Sequence, residues 1–305
     1  MLVLLLGIGR ISSSTAITTF KCLTRHAPTY CSVMNETYFD DNDTIIFNTE
    51  VYTISNYDIN TFDAGMAGNN FSVFPNAIFE KFPYLAIVLL NDVQLKTLNK
   101  KSLTNCLALQ QINLGKNLIT HLEAGVFEEC ENLISIDIVE NKISSIDKDA
   151  FRNLWSLESL YLRENYISSI HPETFNQLPN LIVLFLNNNL ITKLHNDTFK
   201  KLNTMWYLEL SYNKIATIYS DLFKNIPSLT TIRLGYNRIN AIQPDFFEYW
   251  PPNSTKDGNI AFNYNYCVKK EFARIGSENT PLISIIPEFA QCFRNYMRIN
   301  ALSNV

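Results

Sequence analysis

The stretch LFLNNNLITKLHNDTF, residues 184–199, sets three consecutive asparagines inside an apolar run. Stepping away from Asn189 by 24 residues lands on asparagine every time: Asn117, Asn141, Asn165, Asn213 and Asn237. Neighbouring columns keep the same beat. Five residues earlier come Ile112, Ile136, Leu160, Leu184, Leu208 and Ile232. Three earlier come Leu114, Ile138, Leu162, Leu186, Leu210 and Leu234. Ten residues after each Asn stands a Phe, from Phe127 through Phe151, Phe175, Phe199 and Phe223 to Phe247. Self-similarity of this kind signals a stack of identical supersecondary units.

The spacing within one unit dictates its shape. Two apolar residues separated by one polar residue make a short strand with alternate side chains buried. Strands of successive units then stack in parallel, and the chain must turn sharply after each. Such a turn hides backbone N–H and C=O groups that have no strand partner and are costly to leave unpaired. An Asn side chain carries both a donor and an acceptor, so one Asn per turn can satisfy them. Asn189 and its five equivalents are therefore expected to form a buried ladder, with the Phe column filling the wider side of each coil. Val93 stands in the ladder column one unit earlier and offers no amide. There the ladder should be interrupted, with water or backbone compensating.

The unit LxxLxLxxNxIxxIxxxxFxxLxx resembles the extracellular, 24-residue form of the leucine-rich repeat. The likeness implies an α/β solenoid: a curved horseshoe with a parallel concave sheet and disulfide-bonded caps. It divides the chain into a signal peptide (1–16), an N-terminal cap with a first divergent repeat (17–60), repeats of period 24 (61–253), a C-terminal cap (254–292) and a tail (293–305). A weak further unit is read at 43–54. By the same resemblance Cys22 and Cys31 belong to the N-terminal cap. Cys267 and Cys292 belong to a reduced C-terminal cap, in which NYNYC (263–267) places Asn265 in the ladder column. Cys106 and Cys130 differ by one period, so they stack in adjacent coils. They are either two buried thiols or an inter-coil bridge.

Other features set the address. The run Leu2 to Ile8 has the length of a secretory apolar core and is too short to span a bilayer. Sequons lie at Asn35, Asn42, Asn70, Asn196 and Asn253. With six cysteines they indicate a secreted, extracellular glycoprotein. Charged residues make up 18% and the net charge is −4, which offers no basic stripe for a nucleic-acid backbone. No nucleophile, phosphate-loop or zinc motif accompanies the four histidines, so neither an enzyme nor a cofactor is expected. Asp147, His171 and His195 do share a column, six after the ladder. It reads as a solvated edge rather than a metal strip.

The period also names the exposed positions of the sheet. Tyr161, Arg163, Phe185, Asn187, Tyr207, Glu209 and Arg233 fall there, a mixture of aromatics and charges typical of protein-binding surfaces. Packing between sheet neighbours is the competing explanation of the aromatics. Asn188 should lie at the rim beside Tyr212 and Tyr236. The expected role is recognition of another protein or a microbial surface component in innate immunity. The paired-cysteine caps are similar to those of the leucine-rich immune proteins of mosquitoes, a resemblance that implies a complement-like thioester protein as partner. Those proteins carry a long coiled coil that 293–305 does not reproduce. The competing role is a matrix or adhesion protein, or a fragment of a receptor ectodomain.

Overall fold

Three-residue strands recur one per coil in the computed structural model, which describes residues 19–23, 29–34, 38–39, 59–63, 70–71, 73–74, 77–249, 258–275 and 282–302. It divides into two compact units, Met1–Ile143 with Ala150–Ser156, and Ser144–Asp149 with Leu157–Val305. The architecture is a leucine-rich repeat solenoid. The signal-like segment 1–16, the weak unit 43–54 and the sequons at Asn35, Asn42 and Asn253 lie outside the described residues.

In the N-terminal unit the strands Ile59–Asp63, Ile87–Leu89, Gln111–Asn113 and Ser135–Asp137 pair in parallel. From Ile87 onward the register equals the sequence period: Ile87 faces Gln111, and Gln111 faces Ser135. The central residues Val88, Ile112 and Ile136 are buried. At the N-terminal end Thr19–Leu23 and Thr29–Met34 pair antiparallel, with Cys22 opposite Cys31. The bridge expected between those two side chains lies outside the described residues. Cys106 and Cys130 are joined, Cα to Cα 4.9 Å, so the open alternative resolves to an inter-coil bridge.

The C-terminal unit repeats the scheme with Ser159–Tyr161, Val183–Phe185, Tyr207–Glu209 and Thr231–Arg233. Gly258–Ala261 adds the last parallel strand, and Glu271–Ile275 closes the edge antiparallel to it. Closing an edge this way removes a row of unpaired backbone groups. The core beneath is plugged by Phe289, which is fully buried against Phe247, Phe262 and Phe272 at ring separations of 4.9–5.4 Å. Cys267 and Cys292 tie strand side to helix side.

Three expectations need correction here. The Phe column does not continue to Phe247: Phe246 is the fully buried ring that meets Phe223, at 5.9 Å, while Phe247 turns to the cap. The short helix Phe246–Tyr249 shifts the phase by one residue so that both neighbours are served. Residues 293–302 are not a separate tail. Helix Ala290–Leu302 contains them and docks on the repeats, where Asn295 Nδ2 donates to the Asn240 backbone and side-chain oxygens, both at 2.8 Å. Finally, the bend at Val93 is served by the Asn of the next coil. Val93 N and Leu95 N both donate to Asn117 Oδ1, at 3.1 and 2.9 Å.

That last correction shows how the ladder works. Each Asn serves the bend of the coil before its own. Asn189 Oδ1 accepts from Ile167 N, and its Nδ2 donates to Leu162 O as well as to Leu186 O in its own coil. Asn213 and Asn237 repeat this with Ile191, Leu186, Ile215 and Leu210. Asn141 does so with Ile119 and Leu114, and Asn165 donates to Leu162 O and Arg163 O. Asn265 extends the ladder into the cap, accepting from Ile239 N. Val93 lacks the own-coil donation that Asn189 makes to Leu186 O, but the equivalent Leu90 O is still served by Asn117 Nδ2 at 2.7 Å.

Candidate interaction face on the strand side

Because each strand has three residues with the middle one buried, its two outer residues define the strand face. In the C-terminal unit these carry an aromatic run. Tyr161 stacks on Phe185 at 5.1 Å, Phe185 meets Tyr207 at 5.3 Å, and exposed Trp206 meets Tyr207 edge-on at 5.7 Å. The parallel register places these side chains one coil apart, and each remains half-exposed. Pre-stacked rings lose little rotamer freedom on binding, which is one reason aromatics dominate contact hot spots.

A polar network borders the rings. Tyr207 Oη donates to Glu209 Oε2 at 3.1 Å, and Glu209 Oε1 accepts from Ser211 N at 3.0 Å. Burial pushes the Tyr207 phenol above its usual value, and the Glu209 carboxylate pushes it further. Arg233 is ion-paired with Glu271 of the closing strand. Burial disfavours its charge, but the hydrogen bond it donates to Glu271, together with the charge of Glu271 and the contact with Tyr207, prevails and raises the guanidinium above its ordinary value. Arg163 reaches Glu164 at 3.5 Å. Asn187 Oδ1 is shielded from solvent and accepts no hydrogen bond. Of the seven residues named from sequence, Tyr161, Phe185, Tyr207 and Glu209 thus form one connected group, which Arg233 joins by its hydrogen bond with Tyr207. Arg233 is engaged by the cap, and Arg163 and Asn187 flank.

The N-terminal unit presents a different face. Asn113 Oδ1 accepts from Gly115 N at 2.9 Å and Asp137 Oδ1 from Val139 N at 3.0 Å, as Glu209 does from Ser211 N, but the outer strand residues Ile87, Leu89, Gln111, Asn113, Ser135 and Asp137 include no aromatic.

The histidine column has a local explanation. His171 Nδ1 accepts from Glu173 N and His195 Nδ1 from Asp197 N, both at 3.2 Å, just as Asp147 Oδ1 accepts from Asp149 N at 2.9 Å. These side chains cap turns. No cluster of three or more His, Cys, Asp or Glu suited to a metal occurs among the described residues. Asn196 is half-buried in one of these turns.

Sequence reasoning missed Trp206, Glu271 and the third member of the rim row. Trp206 precedes its strand by one position and falls outside the alternation. Glu271 comes from a cap strand that the period does not reach. In the rim row Tyr212 and Tyr236 are joined by Tyr264. It lies one residue before Asn265, and so 28 rather than 24 residues after Tyr236.

A family model described as "Leucine rich repeat" matches residues 83–142, 108–167 and 155–215. No curated protein matches the sequence. Among solved structures, a TLR13-ssRNA13 complex aligns with a TM-score of 0.62 at 24% identity, covering 68% of this chain and 28% of that one. The Toll–Spatzle complex of Drosophila aligns with a TM-score of 0.42 at 19% identity, covering 76% of this chain and 35% of that one. The chain thus spans about a third or less of the length of these neighbours. With 467 solved chains matching, the likeness speaks for the coil and not for a ligand. No helix among the described residues is long and apolar enough to cross a membrane.

Proposed function

From the premise that residues 83–215 are leucine-rich repeats, we propose that this chain is a secreted recognition protein of innate immunity. It binds another protein or a microbial surface component through the strand face of its C-terminal unit. The observation that carries the reading is the half-exposed run Tyr161–Phe185–Tyr207, with hydrogen-bonded Glu209 at its border. In the strands Ser159–Tyr161, Val183–Phe185 and Tyr207–Glu209 the fold buries only the middle residue and leaves the outer two free in identity, so it has no need of aromatics there. The extracellular address draws support from the bridges Cys106–Cys130 and Cys267–Cys292, which persist in oxidising compartments. The sequons at Asn35, Asn42, Asn70, Asn196 and Asn253 are proposed as glycan sites. The finer likeness to mosquito leucine-rich immune proteins makes a complement-like thioester protein the partner to try first.

The test is capture of partners from extracellular fluid by the wild type and by Tyr161→Ala/Phe185→Ala. Both side chains are half-exposed, so the variant should fold and lose at least about tenfold in affinity for a captured partner. Unchanged capture would remove the strand face from the proposal. The second reading, an adhesion protein or receptor ectodomain fragment, draws on the far longer chains that the fold resembles. Recovery of the protein bound to tissue, with no rise in fluid after bacterial injury, would favour it.

A further inference from the structure

The residue before each ladder Asn sits in the left-handed region, at φ 54–58° for Lys116, Glu140, Glu164, Asn188, Tyr212, Tyr236 and Tyr264. Non-glycine residues enter this region at a cost, Asn and Asp most easily. The column accepts Lys, Glu or Asn elsewhere, so the fold does not ask for tyrosine. Yet three successive coils of the C-terminal unit carry it. Tyr212 stacks on Tyr236 at 4.1 Å with planes 8° apart, and Tyr236 on Tyr264 at 4.2 Å and 22°. The rings stay 48%, 40% and 67% exposed. Mutual stacking offsets part of the backbone strain.

The geometry says which part of the rings is offered. Tyr236 has both faces covered by its neighbours, so its exposed area is ring edge and hydroxyl. Ring edges carry the positive end of the aromatic quadrupole, and phenols are donors. The Tyr236 hydroxyl also bonds Tyr264 and raises its phenol above the usual value. Two residues beyond Tyr212 and Tyr236, across the buried Asn213 and Asn237, stand Lys214 and Arg238. Lys214 is half-exposed and Arg238 exposed, and neither has an ion-pair partner among the described residues. Edges, hydroxyls and cations all seek acceptors.

We propose that this tyrosine rim is a second binding surface, separate from the strand face, for an extended acidic segment of a protein. Carboxylates take hydrogen bonds from the phenol row and charge from Lys214 and Arg238, one coil apart. The alternative polyanion, single-stranded nucleic acid, wants open ring faces on which bases stack. Only the outer faces of Tyr212 and Tyr264 are open here.

The test measures anisotropy of a labelled poly-glutamate peptide with four proteins: wild type, Tyr212→Asn/Tyr236→Asn/Tyr264→Asn, Lys214→Gln/Arg238→Gln, and Tyr161→Ala/Phe185→Ala. Asparagine is used at the rim because Asn188 already occupies this backbone conformation. The expected result is binding by wild type, a loss of about tenfold or more in each rim variant, and no change in the strand-face variant. A circular dichroism spectrum confirms that each folds. The proposal is overturned if wild type ignores the peptide, if the tyrosine variant binds as wild type does, or if the strand-face variant loses binding too. It is equally overturned if oligothymidylate or heparin binds more tightly and is lost in the same rim variants, since the surface then reads another polymer.

Discussion

The two units share one coil and differ in what they add to it. The N-terminal unit adds clamps. Cys106 and Cys130 bridge adjacent coils, and Glu128 is held by Lys100 and Arg152. The C-terminal unit adds surface. At the phase of the bridge it has plain apolar Leu178, Leu202 and Ile226, all buried. At the phase of Glu128 and Arg152 it has Asn176, Lys200 and Lys224. Its exposed columns carry the aromatic run and the tyrosine rim instead. A buried column asks only for apolar filling, which a bridge can supply in one place, and the exposed columns are free for an ionic clamp in one unit and for contact in the other.

The comparison rests on a ladder common to both units, and its removal should produce the largest effect. Asn117→Ala strips the partner from Val93 N and Leu95 N, and Asn189→Ala strips it from Ile167 N, while Leu162 O and Leu186 O keep Asn165 and Asn213. Each orphaned buried group costs about 1–3 kcal/mol, so Asn117→Ala should lose roughly 2–6 kcal/mol and Asn189→Ala about 1–3 kcal/mol in urea unfolding. A loss below about 1 kcal/mol in one unit only would mean that the bends are not built alike.

The bridge comes next. Replacing Cys106 and Cys130 by valine keeps the column apolar but frees a 24-residue loop. The chain-entropy estimate for that loop is about 3 kcal/mol. The loss should appear in unfolding of the N-terminal unit and leave capture by the strand face intact. If Cys106→Val/Cys130→Val instead abolished capture, clamps and contacts would not be divided between the units as argued.

Much of this was readable from the period, because burial repeats and repetition exposes it. The ladder, the strand alternation and the column of Phe127 to Phe223 needed nothing else. What escaped lay where the period changes or where a side chain serves a different coil. Phe246 replaces Phe247 because a helical turn enters before the cap. Tyr264 and Asn265 follow a step of 28. The direction of the ladder was also hidden: spacing tells that an Asn props a bend, not that it props the preceding one, and so Val93 was misjudged. In the strand face the residue types were clear, but Arg233 looked free because Glu271 reaches it from outside the repeats.

The smallest expected effect concerns Glu128, the centre of the ionic clamp. Its hydrogen bond from Lys100, then that from Arg152, lowers its carboxyl below the ordinary value, against a smaller opposing effect of burial. A carboxyl depressed in the folded state contributes stability that is complete above its unfolded value and disappears as pH falls through the folded one. The wild type should therefore exceed Glu128→Gln in melting temperature at neutral pH, by a margin that closes on acidification. Because the clamp is surface-bound, the margin should also narrow with added salt. Melting curves of both proteins across the acidic range, at low and high salt, measure this directly. A margin constant with pH would show that Glu128 acts by packing alone. The N-terminal unit would then be held by its disulfide and ladder without help from charge.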